Sequence, residues 1–478
     1  MTTDILGGTP DGAPCGGDVT NYRKPGQTPI GVGADTANCT FRQAINFCYS
    51  QVPWASGVAA CIVRFPKMNK FVLKAPIFFD PAAHSAFPLT IVLDARGATI
   101  SPPASAAGLT GPFFSTNTTR QPLNSAQQSS RRRLASIAQQ PADPFEINMR
   151  SGFEIANCTL IGFGDPGRLG GAIRAENLAS FRLTNVILKN NFASRGGGIY
   201  LANVKMVAIR NTQFIVNSAS TSGGGAFVVN STTVLVKQSH FEGNVASVVG
   251  AGLVVDHAFS VSVEGSSFTN NKATGFAGGV SLNDVYGSVY SRIVNSTFVS
   301  NRAYYGPMLA MGRVRHVSID GNEFRKNTAV RGCGIFWIRG TGMVSPRNLL
   351  NNMSNLFELN SAPYGPNYGT EGLYMVAAPR VVSVVDYTAK NQIDATAQVL
   401  DFYGQLIDDD ASTASVAMKK DSVPQCRFNN LKVRTKHIHS FIHVANPNPN
   451  PNQRHQGSYQ PHTFLYTRRR TRLYTREF

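Results

Sequence analysis

Apolar residues two positions apart recur at a near-constant distance along the middle of the chain. The pairs are Phe153/Ile155, Phe181/Leu183, Val207/Ile209, Val234/Val236, Val261/Val263 and Val317/Ile319, with a weaker Ser291/Ile293 between the last two. Alternation with period two predicts short strands with one buried face. Five and seven residues beyond such pairs stands a second landmark, F-x-x-N-x-A. It places Phe214 with Asn217, Phe241 with Asn244, Phe268 with Asn271, Phe298 with Asn301, Phe324 with Asn327 and Phe357 with Asn360. Leu188 with Asn191 is a variant. The Phe-to-Phe steps are 27, 27, 30, 26 and 33 residues. A glycine cluster followed by an apolar residue keeps the same step, ending at Ile173, Ile199, Ala226, Leu253, Val280 and Ile335, with Gly306–Leu309 filling the remaining slot.

A unit of about 27 residues built of short strands cannot bury its own apolar face. Its few side chains contribute about 1.5–3 kcal/mol each on burial, against an ordering cost of about 1.5 kcal/mol per residue. Stacking removes the deficit, because each turn covers the next and hydrogen-bonds to it. The expected fold is therefore all-β, a right-handed single-stranded parallel β-helix; the hexapeptide period of left-handed forms is absent. Eight turns from Phe153 to about Asn360 would form a rod about 35–40 Å long. The Phe rings should stack inside, the Asn side chains should bond along the axis, and the glycines should mark a corner needing positive φ or close approach.

The GGAI at 170–173, GGAF at 224–227 and the serial F-x-x-N resemble the repeats of the polymorphic outer membrane protein family. That resemblance covers about 210 residues and implies a surface-exposed β-helical module with a role in adhesion. The family's membrane β-barrel has no counterpart in the pattern here, whereas similar repeats occur in large extracellular proteins of algae and other protists. CTFRQAINFC at 39–48 resembles the C-[ST]-L-R-E-A-I element of secreted β-helix proteins, and IVRFP, KFVLKAPI and LTIVLDARGATIS resemble the strands that follow it. Phe41, Ala44, Ile45 and Phe47 would be the inner face of a short capping helix over the open end of the rod.

The domain reading is a cap and first strands at 1–114, a polar low-complexity insertion at 115–147, repeats at 148–364, a partial sandwich-like segment at 365–425 and a basic disordered tail at 426–478. In the fourth of these, AQVLDFYGQLIDDDASTASVAM resembles the opening of an immunoglobulin-like or filamin-like β-sandwich. The net charge of +18 owes half to residues 427–478, with a further cluster at Arg131–Arg133. Basic residues in a tail and a loop, away from a folded face, do not predict nucleic-acid binding. No apolar run suits a transmembrane helix. Of seven cysteines, Cys15, Cys39, Cys48 and Cys61 lie early and without CxxC spacing, which fits two disulfides in an oxidising compartment or four free thiols. No signal peptide is visible before residue 12, and the six N-x-[ST] sequons are about as many as chance supplies. Localisation is expected to be extracellular or at the cell surface, with an extracellular glycan or surface protein as partner.

Catalysis on a β-helix needs carboxylates stacked on adjacent turns, as in pectin-degrading hydrolases and lyases. Four residues after the glycine-cluster position the chain reads Asn177, Asn203, Asn230, His257, Asp284, Arg313 and Arg339. Asp256, His257 and Asp284 are the best catalytic candidates, but strand alternation should turn Asp256 and His257 to opposite sides. A solvent-facing polar ladder is the favoured reading. His240 and His316 read as edge residues, Asp320 and Glu323 lack matching partners, and Asp408–Asp410 reads as a loop. The expectation is a non-enzymatic adhesion or matrix module with no cofactor and no metal; a polysaccharide lyase or glycoside hydrolase is the rival.

Overall fold

The computed structural model describes residues 19–22, 30–32, 59–64, 70–72, 77–79, 89–102, 111–116, 151–287, 291–338, 355–371, 374–378, 395–407, 433–436, 463–465 and 474–476. Among these every regular element is a strand, so no helix is long and apolar enough to cross a membrane. The proposed capping element at 39–48, most of the 115–147 insertion, Asp408–Asp410 and most of the tail lie outside the described residues.

The chain winds as the parallel β-helix that the repeat predicts, in about eight turns. One turn shows the plan. Ile199–Arg210 runs along two sides of the coil, Gln213–Ile215 forms a third and Ser218–Ser222 a fourth. Each strand pairs in parallel with its counterpart one repeat on, so Ile199 aligns with Ala226, then Leu253, Val280, Leu309 and Ile335. Phe214 aligns in the same way with Phe241, Phe268, Phe298, Phe324 and Phe357. These rings stack down the interior with centroids 4.4–5.0 Å apart. That spacing is the strand spacing of a parallel sheet, so the backbone ladder itself sets offset-stacked aromatic contact.

Single residues in the left-handed conformation turn the coil at four corners. One corner carries Asn177, Asn203, Asn230, His257, Asp284 and Arg313; a second carries Asn157, Asn185, Asn211, Gln238 and Asn295 with Gly265 and Gly321. The third includes Asn190, Val216, Asn270 and Gly243, and the fourth is the first residue of each cluster: Gly170, Gly196, Gly223, Gly250, Ala277, Gly306 and Gly332. Asn tolerates this conformation better than other residues with a Cβ, which explains its frequency here. The glycine closing each cluster answers a different demand. A Cβ on Gly225 would stand 2.6 Å from the Gly252 carbonyl oxygen and 3.0 Å from Cδ1 of Phe241. The two sequence landmarks thus touch across the interior.

The interior carboxamides are satisfied by their equivalents one turn on. Nδ2 of Asn244 donates to Oδ1 of Asn271 and to the Phe214 carbonyl, while its Oδ1 accepts from the backbone N–H and Nδ2 of Asn217. The chain of amides runs from Asn191 through Asn301 and Asn327 to Asn360. A second ladder lies two residues before each Phe. The hydroxyls of Ser239, Ser266 and Ser296 accept from the backbone N–H of Thr212, Ser239 and Ser266, and Oδ1 of Asn322 and Asn355 continues the series.

Both ends of the rod are covered. Val19–Tyr22 lies antiparallel on Ala60–Val63, shielding the first coil's edge. Ala59–Arg64 in turn pairs with Leu89–Asp94, and that strand with Gly152–Ala156. Ser115 and Thr116 still belong to the strand Phe114–Thr116. At the other end, Tyr368–Thr370 stacks on Ile335–Trp337, so the solenoid sheet runs past Tyr364. The D-F-Y-G-Q turn then folds over it. Buried Asp401 accepts from the backbone N–H groups of Thr370, Tyr403 and Gln405, and Tyr403 packs 5.0 Å from Tyr368. Tyr374–Ala378 and Ala395–Leu400 form an antiparallel pair that Val433–Lys436 extends.

Among the described residues no disulfide occurs. Cys158 and Cys333 are buried free thiols. Burial, with Asp94 nearby, pushes Cys158 up to about 12, and burial raises Cys333 well above its ordinary value. Cys15, Cys39 and Cys48 lie outside the described residues, and Cys61 is described as a strand residue.

Candidate functional site

The first corner differs from the interior ladders in its chemistry. Nδ2 of Asn203 donates to Oδ1 of Asn177, and Nδ2 of Asn230 to Oδ1 of Asn203, at 3.0 and 3.3 Å. The series then changes to His257, Asp284 and Arg313. His257 Nδ1 lies 2.9 Å from Oδ1 of Asp256, its Nε2 lies 3.2 Å from Oδ2 of Asp284, and Arg313 closes an ion pair with that same oxygen. Nδ2 of Asn283 donates to Oδ1 of Asp256 at 2.7 Å.

The structure therefore brings Asp256, His257 and Asp284 together, and the alternation argument that separated the first two fails. Its premise is an extended backbone. His257 has φ of 53°, so its side chain does not follow the strand's alternation. Asp256, His257 and Asp284 each offer one donor atom, all within 4.8 Å of one another, a set that a divalent cation accepts. Asn283 and Arg313 already bind the same carboxylates. Arg339 lies outside the described residues.

Asp256 also lines a groove, of about 320 Å³, that runs outside the glycine corner. The glycines draw two strand ends together, and the outward side chains of both ends form its sides. Tyr200, Phe227 and Val254 occupy equivalent positions at the starts of three successive strands on one side, and Val249 and Phe276 occupy equivalent bridge positions before the glycines of two successive turns on the other. Tyr200 stacks on Phe227 at 5.6 Å above the groove, and Phe276 stacks on Tyr305 at 5.2 Å below it. Small residues at Ser281, Ala310 and Gly312 leave the space between these stacks open. Asp256 and Asn283 stand at one side and Arg195 at another, its guanidinium 5.7 Å from the centre of the Phe227 ring.

The sequence reading missed this groove. A signal was present: the residue after each glycine-cluster landmark points outward, yet it is Tyr200, Phe227, Val254 or Phe336 in four of the turns. Outward apolar side chains on successive turns mark a surface feature. The other candidates lie elsewhere. His240 meets Ser267 and Glu242 on a flat strand face, and Glu323 pairs with Arg325.

A protein-family model described as a right-handed β-helix region matches residues 143–324. The match spans the turns that carry the corner series, all the groove-lining residues and most of the Phe stack. No curated protein and no solved structure matches the chain.

Proposed function

We propose that the groove beside the glycine corner binds an extended glycan, and that the protein is a non-enzymatic surface or extracellular module for adhesion or matrix binding. One observation carries this reading. An apolar groove lies between two aromatic stacks, with Asp256, Asn283 and Arg195 placed around it. Sugars combine apolar ring faces with hydroxyls, and such a lining serves both. The strands that hold it hydrogen-bond to both neighbouring turns, so the site is preorganised. Binding of neutral and acidic oligosaccharides, measured by calorimetry, tests the reading. Replacing Ala310→Trp fills the groove from an outward position and should abolish the heat of binding with the fold intact.

The polysaccharide-cleaving alternative draws on Asp256 and Asp284, two carboxylates on adjacent turns at the rim. The geometry favours binding over cleavage, because the His257 imidazole occupies the space between them. A hydrolase needs that space for the scissile bond or an attacking water. Release of reducing ends or unsaturated products that disappears in Asp256→Asn and Asp284→Asn would establish the enzyme instead.

A further inference from the structure

Arg195 is the one groove-lining residue with a positive charge. Among the described residues no carboxylate lies within ion-pair distance of its guanidinium; its neighbour is the Phe227 ring. The other charged groups near the groove are differently placed. Arg313 is paired with Asp284, and Asp256 accepts from Asn283 and faces His257. Arg174, at the start of the turn that ends at Arg195, is held by Glu176 at 2.6 Å. Arg313 with Asp284 and Arg174 with Glu176 thus cancel in pairs, which leaves two groove-lining charges without an oppositely charged Lys, Arg, Asp or Glu partner, Asp256 at one side and Arg195 at another.

Resting on the glycan reading above, we infer that the ligand carries an anionic group, a carboxylate or a sulfate, and that Arg195 binds it. A guanidinium over an aromatic face keeps its N–H edge available, and that edge matches a planar carboxylate or a sulfate bidentately. Stacking on Phe227 restrains the side chain in advance, which reduces the ordering cost on binding. The hydroxyls of the same ligand would meet Asp256 and Asn283 at the far side of the groove. A neutral glycan would leave the Arg195 guanidinium without a charged partner, and would lose the charge-assisted hydrogen bonds that an anionic one makes.

The test is calorimetry on the full chain with three length-matched oligosaccharide probes: a galacturonate oligomer, a sulfated galactan oligomer free of carboxylates and a neutral xylo-oligomer. At least one acidic probe should bind about tenfold or more tightly than the neutral one, the size of a charge-assisted contact. Arg195→Gln should bring that probe to the neutral level, and Arg195→Lys should retain part of the difference. Whichever acidic probe responds identifies carboxylate or sulfate. Equal affinity for all three probes, or an acidic preference that survives Arg195→Gln, overturns the inference; in the second case the anion binds at another basic region of the chain. The glycan reading fails separately, if binding of every probe survives Ala310→Trp or if no probe binds.

Discussion

Two polar ladders run along this solenoid with the same register, and they obey different rules. The interior ladder is Asn at every turn from Asn191 to Asn360. The corner ladder begins as Asn177, Asn203 and Asn230 and then changes to His257, Asp284 and Arg313. The difference is one of solvent access. Inside, each carboxamide must donate twice and accept twice, and no other side chain of that size does both. At the corner, backbone geometry asks only for tolerance of positive φ, and water satisfies whatever the neighbour does not. Burial fixes residue identity, and exposure releases it for charge and chemistry.

The sharpest way to break this contrast is in the interior. Asn244→Ala removes a carboxamide that serves the Asn217 N–H, the Asn217 side chain, the Phe214 carbonyl and Asn271. With those groups left buried and unpaired, the loss should be at least about 3 kcal/mol in denaturant unfolding. Asn244→Asp should be comparably damaging, since it keeps the shape and loses the donors; a harmless Asp would show that packing alone holds the ladder.

Cys158 lies beside Asn157 of the second corner and extends the contrast to titration. Its thiol is buried and its pKa is raised from 9.0 to about 12. The folded state therefore holds the proton more tightly than the unfolded chain does. The resulting stability is complete below pH 9 and is lost as pH rises toward about 12. The unfolding free energy measured across that window should fall less steeply for Cys158→Ala than for the unaltered protein.

The exposed corners should respond mildly, and in one place favourably. Val216 is β-branched, has φ of 52° and is 52% exposed. Val216→Asn should stabilise the protein by about 1 kcal/mol, since Asn bears that conformation more easily and little packing is lost. Smallest of all, Arg313→Ala removes a partly exposed ion pair with Asp284 and should cost less than about 1 kcal/mol. A loss as large as that of Asn244→Ala would erase the distinction between the ladders.

Much of the fold was legible because a stacked coil converts one-dimensional spacing into vertical alignment. Phe214 and Phe241 are 27 residues apart in sequence, and their rings lie 4.4 Å apart in space. The serine ladder at Ser239, Ser266 and Ser296 was equally periodic and went unread, because small hydroxyls carry no hydrophobic signal. The site was legible only in part. The corner register put His257 and Asp284 on neighbouring turns, but the meeting of Asp256 with His257 needed a backbone angle that strand alternation does not contain.

The sequence by itself determined the coil: its repeat length, its inner aromatic column, its amide ladder and its glycine corner. Each is a property of equivalent positions on successive turns, and spacing specifies those. The tertiary structure alone decided that Arg195, Phe227, Asp256 and Phe276 border one groove. They come from different positions in different turns, brought to one place by how tightly the chain bends between them, and bend angles are set by packing against the neighbouring turns.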